Sequence, residues 1–187
     1  MASRVFVITG PSGVGKGTLI RDLRERVPGL ELSVSATTRE PREGEREGVD
    51  YHFLSADEFA ERAGAGDFLE HATFSGNRYG TLRSEIERML DGGSSVVLEI
   101  EVQGARQVRA AMGDEAVLIF IMPPDPAVLR ERLSGRGTDS ADAIERRLET
   151  AKQELEASQE FKHVVVNDDL GRASGELEAI VRDELTG

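Results

Sequence analysis

The run Gly10-Pro11-Ser12-Gly13-Val14-Gly15-Lys16-Gly17-Thr18 carries the clearest chemistry in the chain. Glycines let a backbone curl until successive N–H groups point inward at phosphate oxygens. A helix starting at the end of such a loop adds partial positive charge, and Lys16 then reaches the β- and γ-phosphates of a bound nucleotide. The competing reading is a plain glycine-rich turn with a surface lysine. Loops of this type customarily place Ser or Thr directly after the lysine, as a Mg²⁺ ligand. Here Gly17 holds that position and Thr18 follows. The metal is then reached through water, or Thr18 contacts phosphate instead.

A second anion site is suggested by Ser35-Ala36-Thr37-Thr38-Arg39-Glu40-Pro41-Arg42-Glu43-Gly44-Glu45, followed by Asp50 and Tyr51. Arg39 and Arg42 are close enough in sequence to converge on one anion, and planar guanidinium groups suit phosphate. Both of the chain's tyrosines, Tyr51 and Tyr79, fall in this region. A phenol can donate a hydrogen bond to a phosphate oxygen. Spacing alone leaves open a solvated loop of mixed charge, since glutamates interleave the arginines. Glu99 and Glu101 close an apolar run, where acids near a phosphate loop organise Mg²⁺ through water. Their alternative is a role at the entry of the following helix.

The elements that must position these groups alternate between strand-like and helix-like, which predicts helices packed around a mostly parallel sheet. Arg4–Thr9 reads as a strand, Lys16–Arg26 as a helix, and Leu30, Leu32, Val34 and Ala36 as one half-buried strand. Thr37–Asp50 reads as an ordered loop. Ser55 and Glu58 have capping-box spacing. Phe68–Phe74 and Asn77–Gly80 flank a tight turn at Ser75-Gly76, and Ser84–Leu90 reads as a helix ended by Gly92-Gly93. Ser95–Ile100 and Val117–Met122 are continuous apolar runs, the mark of doubly buried strands. Asp142–Gln159 has an amphipathic helical period, His163–Val166 reads as a strand and Ala173–Leu185 as a last helix.

The 187 residues suit one compact α/β domain with small insertions, and a 39% hydrophobic content provides a core. A net charge of −12 opposes general nucleic-acid binding, though not a local basic pocket for a small anion. The absence of cysteine excludes disulfides and thiolate metal sites. His52, His71 and His163 have no metal-ligand spacing. The first apolar run is too short for a signal peptide and no stretch suits a membrane span, so a cytoplasmic protein without membrane or nucleic-acid partners is expected.

Taken together, the glycine loop, the 35–45 run, Asp50-Tyr51-His52-Phe53, 74–81, Glu99-Ile100-Glu101-Val102-Gln103-Gly104, 132–137 and Asn167-Asp168 resemble the guanylate kinase family in order and spacing. The resemblance implies a P-loop three-layer α/β fold with a mostly parallel sheet. It implies a core of residues 1–34, 82–123 and 148–187, a GMP-binding subdomain of residues 35–81 and a lid of residues 124–147. It implies transfer of the γ-phosphoryl group of ATP to GMP, and to dGMP, with Mg²⁺ as cofactor.

The resemblance also assigns roles. Gly10 through Thr18 would hold ATP, with Asn167 near the adenine. Ser35, Arg39, Arg42, Tyr51 and Tyr79 would hold the GMP phosphate. Glu70 and Thr81 would read guanine: a carboxylate accepts from both N1–H and the 2-amine, and a hydroxyl complements O6. Glu101 would face GMP, and Thr18, Glu99 and Glu101 would approach the metal. The family often carries Asp where this chain has Glu101. Lys16, Arg42, Arg132, Arg136 and Arg147 would stabilise the charge on the transferring group. Outside that context Glu70 is an ordinary surface carboxylate, Arg147 a surface residue on its helix and Asn167 a loop or capping residue. Two other readings remain: a kinase for a different small phosphorylated acceptor, such as AMP, and a binding module that keeps the fold without catalysis.

Overall fold

The computed structural model describes residues 3–74, 76–125, 127–129 and 141–187, and of residues 141–147 only the backbone. Among them a five-stranded parallel sheet runs in the order β2-β7-β1-β8-β9. Its strands are β1 (Val5–Thr9), β2 (Leu30–Leu32), β7 (Ser95–Glu99), β8 (Ala116–Met122) and β9 (His163–Val166). β1, β7 and β8 are buried nearly throughout, as their unbroken apolar runs require in a sheet covered on both faces.

Alternation along β1 divides the core in two. Val5 and Val7 join Leu98, Phe120, Ile86 and Val108 on one face, covered by α3 (Arg83–Asp91) and α4 (Val102–Met112). Phe6 and Ile8 join Leu19, Leu23, Ile119 and Leu177 on the other, covered by α1 (Lys16–Arg26) and α6 (Leu170–Thr186). The result is a helix–sheet–helix sandwich. The phosphate loop leaves β1 in the centre of the sheet, at the carboxyl ends of the strands, where open α/β sheets bind ligands.

A second, four-stranded sheet has the order β4-β3-β6-β5, built from β3 (Ala36–Thr37), β4 (His52–Phe53), β5 (Phe68–Phe74) and β6 (Asn77–Leu82). It packs on α2 (Ala56–Ala65), whose Ser55–Glu58 capping box is formed in both directions. Its core is small: Phe59 and Phe68 stack with ring centroids 4.4 Å apart, beside Ala36 and Leu82. β5 and β6 pair antiparallel, with an irregularity between Phe68 and Glu70 that sets Glu70 opposite Thr81.

The single strand expected over Leu30–Ala36 is in fact two. β2 pairs with β7 in the large sheet, and β3 pairs with β4 and β6 in the small one. An alternating pattern shows that residues share a face, but not that their partners share a sheet. The chain changes sheets at residues 33–35, which brings Ser35 to the junction. α5 (Ala141–Glu156) gives way to a 3₁₀ turn at Ala157–Glu160, and α6 begins earlier than expected because Asp169 caps it through the Arg172 amide.

The small sheet's dependence on one stacked pair is testable. Phe59→Ala removes a fully buried ring from that cluster and should cost about 3–5 kcal/mol. Urea denaturation reads the loss, and hydrogen exchange should show it concentrated in α2 and β5.

Candidate active site

The phosphate loop owes its shape to two close approaches. A Cβ on Gly10 would lie 2.3 Å from the Ile121 carbonyl oxygen, so the loop can cross the end of β8 only without a side chain. Gly15 has φ +101°, and a Cβ there would meet Asn167 Nδ2 at 2.6 Å. No side-chain hydrogen bond caps α1 at Gly15, so its first backbone N–H groups remain available to an anion. Lys16 is buried, and its ammonium donates to the Gly10 and Pro11 carbonyls, at 2.5 and 3.4 Å.

The loop forms one wall of a cleft of about 620 Å³ between the two sheets. The cleft brings Ser12, Gly13, Gly15, Lys16, Gly17 and Thr18 together with Ser35, Tyr51, Glu70, Tyr79, Glu99 and Glu101, which are distant in sequence. Parallel pairing sets Glu99 beside Ile8, next to the root of the loop. Glu99 Oε2 lies 3.9 Å from where a Cβ on Gly17 would stand. A carboxylate thus borders the position where a hydroxyl is customary. Crowding by protein raises the Glu99 pKa, with Glu101 adding to the effect and Lys16 opposing it.

These donors fit Mg²⁺ carried by nucleotide phosphates. That ion keeps several waters and takes one or two carboxylates, and among the described residues no group of three His, Cys, Asp or Glu side chains forms a direct cage.

Arg39 and Arg42 follow β3, and neither lines the cleft. Arg39 Nη2 donates to both carboxylate oxygens of Glu45, at 2.8 and 2.9 Å, which holds the Glu45 carboxyl below the usual range. The Arg39 guanidinium lies 5.3 Å from the centre of the Tyr51 ring, and the Tyr51 and Tyr79 rings are 6.1 Å apart. Burial, with Tyr79 adding to it, pushes the Tyr51 phenol above its ordinary pKa, so it stays a hydrogen-bond donor. Arg42 is exposed, its backbone N–H donating to Glu45.

Glu70 and Thr81 are both buried and form one unit: Thr81 Oγ1 donates to Glu70 Oε1 at 2.7 Å. Thr81 lies behind Glu70 rather than on the cleft surface. Burial raises the Glu70 carboxyl to about 7, against the opposing hydrogen bonds from Thr81. Asn167 is buried under the phosphate loop, donating to the Val14 carbonyl at 2.8 Å, and does not line the cleft. Arg132 and Arg136 lie outside the described residues, as does the side chain of Arg147.

Sequence reasoning passed over Glu45, read only as one of the interleaved glutamates, and Glu154 on α5. Burial, then a hydrogen bond and charge from Glu101, raise the pKa of Glu154, and Lys16 opposes this. The available signal was its place three residues beyond Ala151, on the flank of the helix's apolar face.

A family model described as guanylate kinase matches residues 2–184. The chain belongs to the guanylate kinase family. It is 54% identical over 175 residues to a guanylate kinase of Synechococcus sp. (strain CC9902), covering 94% of this chain and 93% of the relative. It is 52% identical over 183 residues to that of Gloeobacter violaceus, covering 98% and 89%. A crystal structure of guanylate kinase from Anaplasma phagocytophilum superposes with a TM-score of 0.77 at 33% identity, covering 98% of this chain and 86% of that one. The P-loop α/β architecture expected from the sequence is therefore the family's.

Burying Glu70 has a measurable cost. Its folded pKa, about 7, exceeds the ordinary 4.5, so the folded protein holds the extra proton between these values. Stability therefore falls as pH rises through this window, by a total of about 3 kcal/mol above it. Glu70→Gln should raise the thermal midpoint at pH 8 by several degrees and leave it nearly unchanged at pH 4. An equal shift at both pH values would mean that the carboxyl's charge is not the source.

Proposed function

We propose that this protein transfers the γ-phosphoryl group of ATP to GMP, forming ADP and GDP. The observation that carries the reading is the buried Glu70–Thr81 unit, facing across one cleft to an uncapped helix N-terminus and Lys16. Guanine offers a carboxylate two N–H donors on one edge; adenine offers neither the N1–H nor the 2-amine and would leave Glu70 buried without partners. AMP is thereby disfavoured as acceptor. Residues 35–81 are assigned the GMP-binding role, and Ser35, Arg39, Arg42, Tyr51 and Tyr79 the acceptor phosphate. The lid expected over residues 124–147 lies largely outside the described residues.

The acceptor phosphate is already largely a dianion near neutral pH and attacks without a general base. What the protein supplies is placement and charge. The loop amides and Lys16 hold the β- and γ-phosphates, which requires the ammonium to leave the Gly10 and Pro11 carbonyls. The second sheet holds the attacking phosphate opposite. Glu99, with Glu101 and Thr18, would hold Mg²⁺, which when bound would supply neutralisation of the charge on the donor phosphates. Among the described residues no helix is long and apolar enough to cross a membrane.

A coupled assay of ADP formation with ATP and Mg²⁺ tests the reading. GMP should be the strong acceptor, with AMP, CMP and UMP weak. Activity with another acceptor would discard the guanine site, and none with any acceptor in a folded, ATP-binding sample would favour a binding module. Lys16→Ala should reduce turnover by orders of magnitude while the melting curve persists.

Glu70 must be ionised to accept both guanine donors. Because kcat/KM reports the free enzyme, its value for GMP should fall below pH about 7. The fall should approach tenfold per unit. In Glu70→Gln only the limb of the GMP phosphate itself, near pH ~6, should remain.

A further inference from the structure

Glycine in a helix needs a reason, since alanine is the better helix former and exposes less backbone. Gly104 lies in the first turn of α4, and its backbone is not left-handed. The reason lies across the contact with β5. A Cβ at residue 104 would stand 2.4 Å from Glu70 Oε2 and 3.0 Å from its Cδ. Real Cβ atoms do not approach so closely, so one partner would have to move. Glu70 has little freedom to do so: it is 5% exposed, and its other oxygen is held by Thr81. The helix backbone is fixed as well, because Val102, Ala105 and Val108 of α4 are packed into the main core.

One turn further along the same helix, Gln107 grips the strand that carries Glu70. Its Nε2 donates to the His71 carbonyl at 2.8 Å and its Oε1 accepts from the His71 N–H at 3.1 Å. This two-point contact occupies both backbone groups of His71 in β5, an edge strand of the small sheet. Gln107 thus fixes the position of the strand against α4, and the bare backbone at Gly104 receives the carboxyl.

We propose that Gly104 is a specificity-determining positioning residue. Its missing side chain sets how far the Glu70 carboxylate recedes into the cleft wall, and so where that carboxylate meets the guanine edge. The inference rests on the reading of Glu70 as the guanine acceptor. A methyl group at residue 104 pushes the carboxyl off Thr81 and toward the base. It then meets N1–H and the 2-amine unequally. The donor site is untouched, because the phosphate loop has no part in this contact.

The test is Gly104→Ala, assayed with GMP and with IMP, which keeps N1–H and O6 but lacks the 2-amine. We expect kcat/KM for GMP to fall roughly ten- to hundred-fold, the size of one or two lost hydrogen bonds to a charged group. The GMP-to-IMP preference should shrink, with the KM for ATP unchanged. Shortening the acid should make room for the methyl, so Glu70→Asp combined with Gly104→Ala should lose less than the product of the two single losses. An unchanged GMP-to-IMP preference with multiplicative losses would overturn the proposal.

Glu70→Gln separates the two layers. If it leaves the GMP-to-IMP preference intact, the reading of Glu70 itself falls. If it abolishes the preference while Gly104→Ala does not, only the role of Gly104 falls. Should Gly104→Ala fail to fold, as judged by far-UV circular dichroism, Gln107→Ala takes its place. That change loosens the same strand and should also reduce the GMP-to-IMP preference without altering the KM for ATP. An unchanged preference would again overturn the proposal.

Discussion

A chain of net charge −12 that binds two phosphorylated nucleotides must keep its own acids from repelling them. The fold meets this constraint locally. The positive end of α1, uncapped by any side chain, and the buried Lys16 stand at the centre of the large sheet. In the segment after β3 the Arg39 guanidinium is packed by Tyr51 and oriented by Glu45. The acids that line the cleft are Asp50, Glu70, Glu99 and Glu101. The remaining negative charge is spread over outer helices, where many carboxylates are paired, as in the contacts of Glu160 with Arg106 and Arg109. Exposed pairs of this kind add little to stability.

Glu70 is the costly member of the set. A carboxylate nearly excluded from water destabilises the fold unless it is protonated or fully hydrogen-bonded. Thr81 satisfies one oxygen and leaves the other against bare helix backbone. Such a site is poor at being empty and good at discriminating, because an acceptor without two donors cannot repay the desolvation of the charge. The small sheet that bears it has only a short core centred on Phe59 and Phe68. Glu70 is therefore carried by the weaker of the two layers, braced by α4 from the stronger one.

Much of this was legible in the sequence, and the reasons are physical. Unbroken apolar runs gave β7 and β8, because doubly covered strands have no solvent face. The Ser55–Glu58 spacing gave the start of α2, because a capping box is local chemistry. The glycine loop announced its own conformation. What failed was non-local. The alternation through Leu30–Ala36 concealed the change of sheet at residues 33–35, since period carries no information about partners. Asp169 was missed as a cap because its role depends on where β9 ends. Gly104 read only as part of a motif, and Gln107 was not singled out at all. Their meaning lies in a contact with a strand more than thirty residues away.

The same contact keeps Glu70 in register with the phosphate loop. Glu99 ends β7, paired with Ile8 beside the phosphate loop. Ile100 is buried, Glu101 stands at the N-cap of α4, and Gly104 follows within the first turn. Six residues of chain, Glu99 to Gly104, therefore run from the acid beside the phosphate loop to the glycine against Glu70. A strand end and a helix start leave little backbone freedom, so this connector acts as a short rigid ruler. In-line transfer tolerates only small errors in the separation of donor and acceptor phosphates. A base held too far from the loop, or too near it, would bind well and react poorly. Fixing the depth of Glu70 from α4 ties that carboxyl to the sheet that carries the phosphate loop, which a small sheet braced only by its own core could not do.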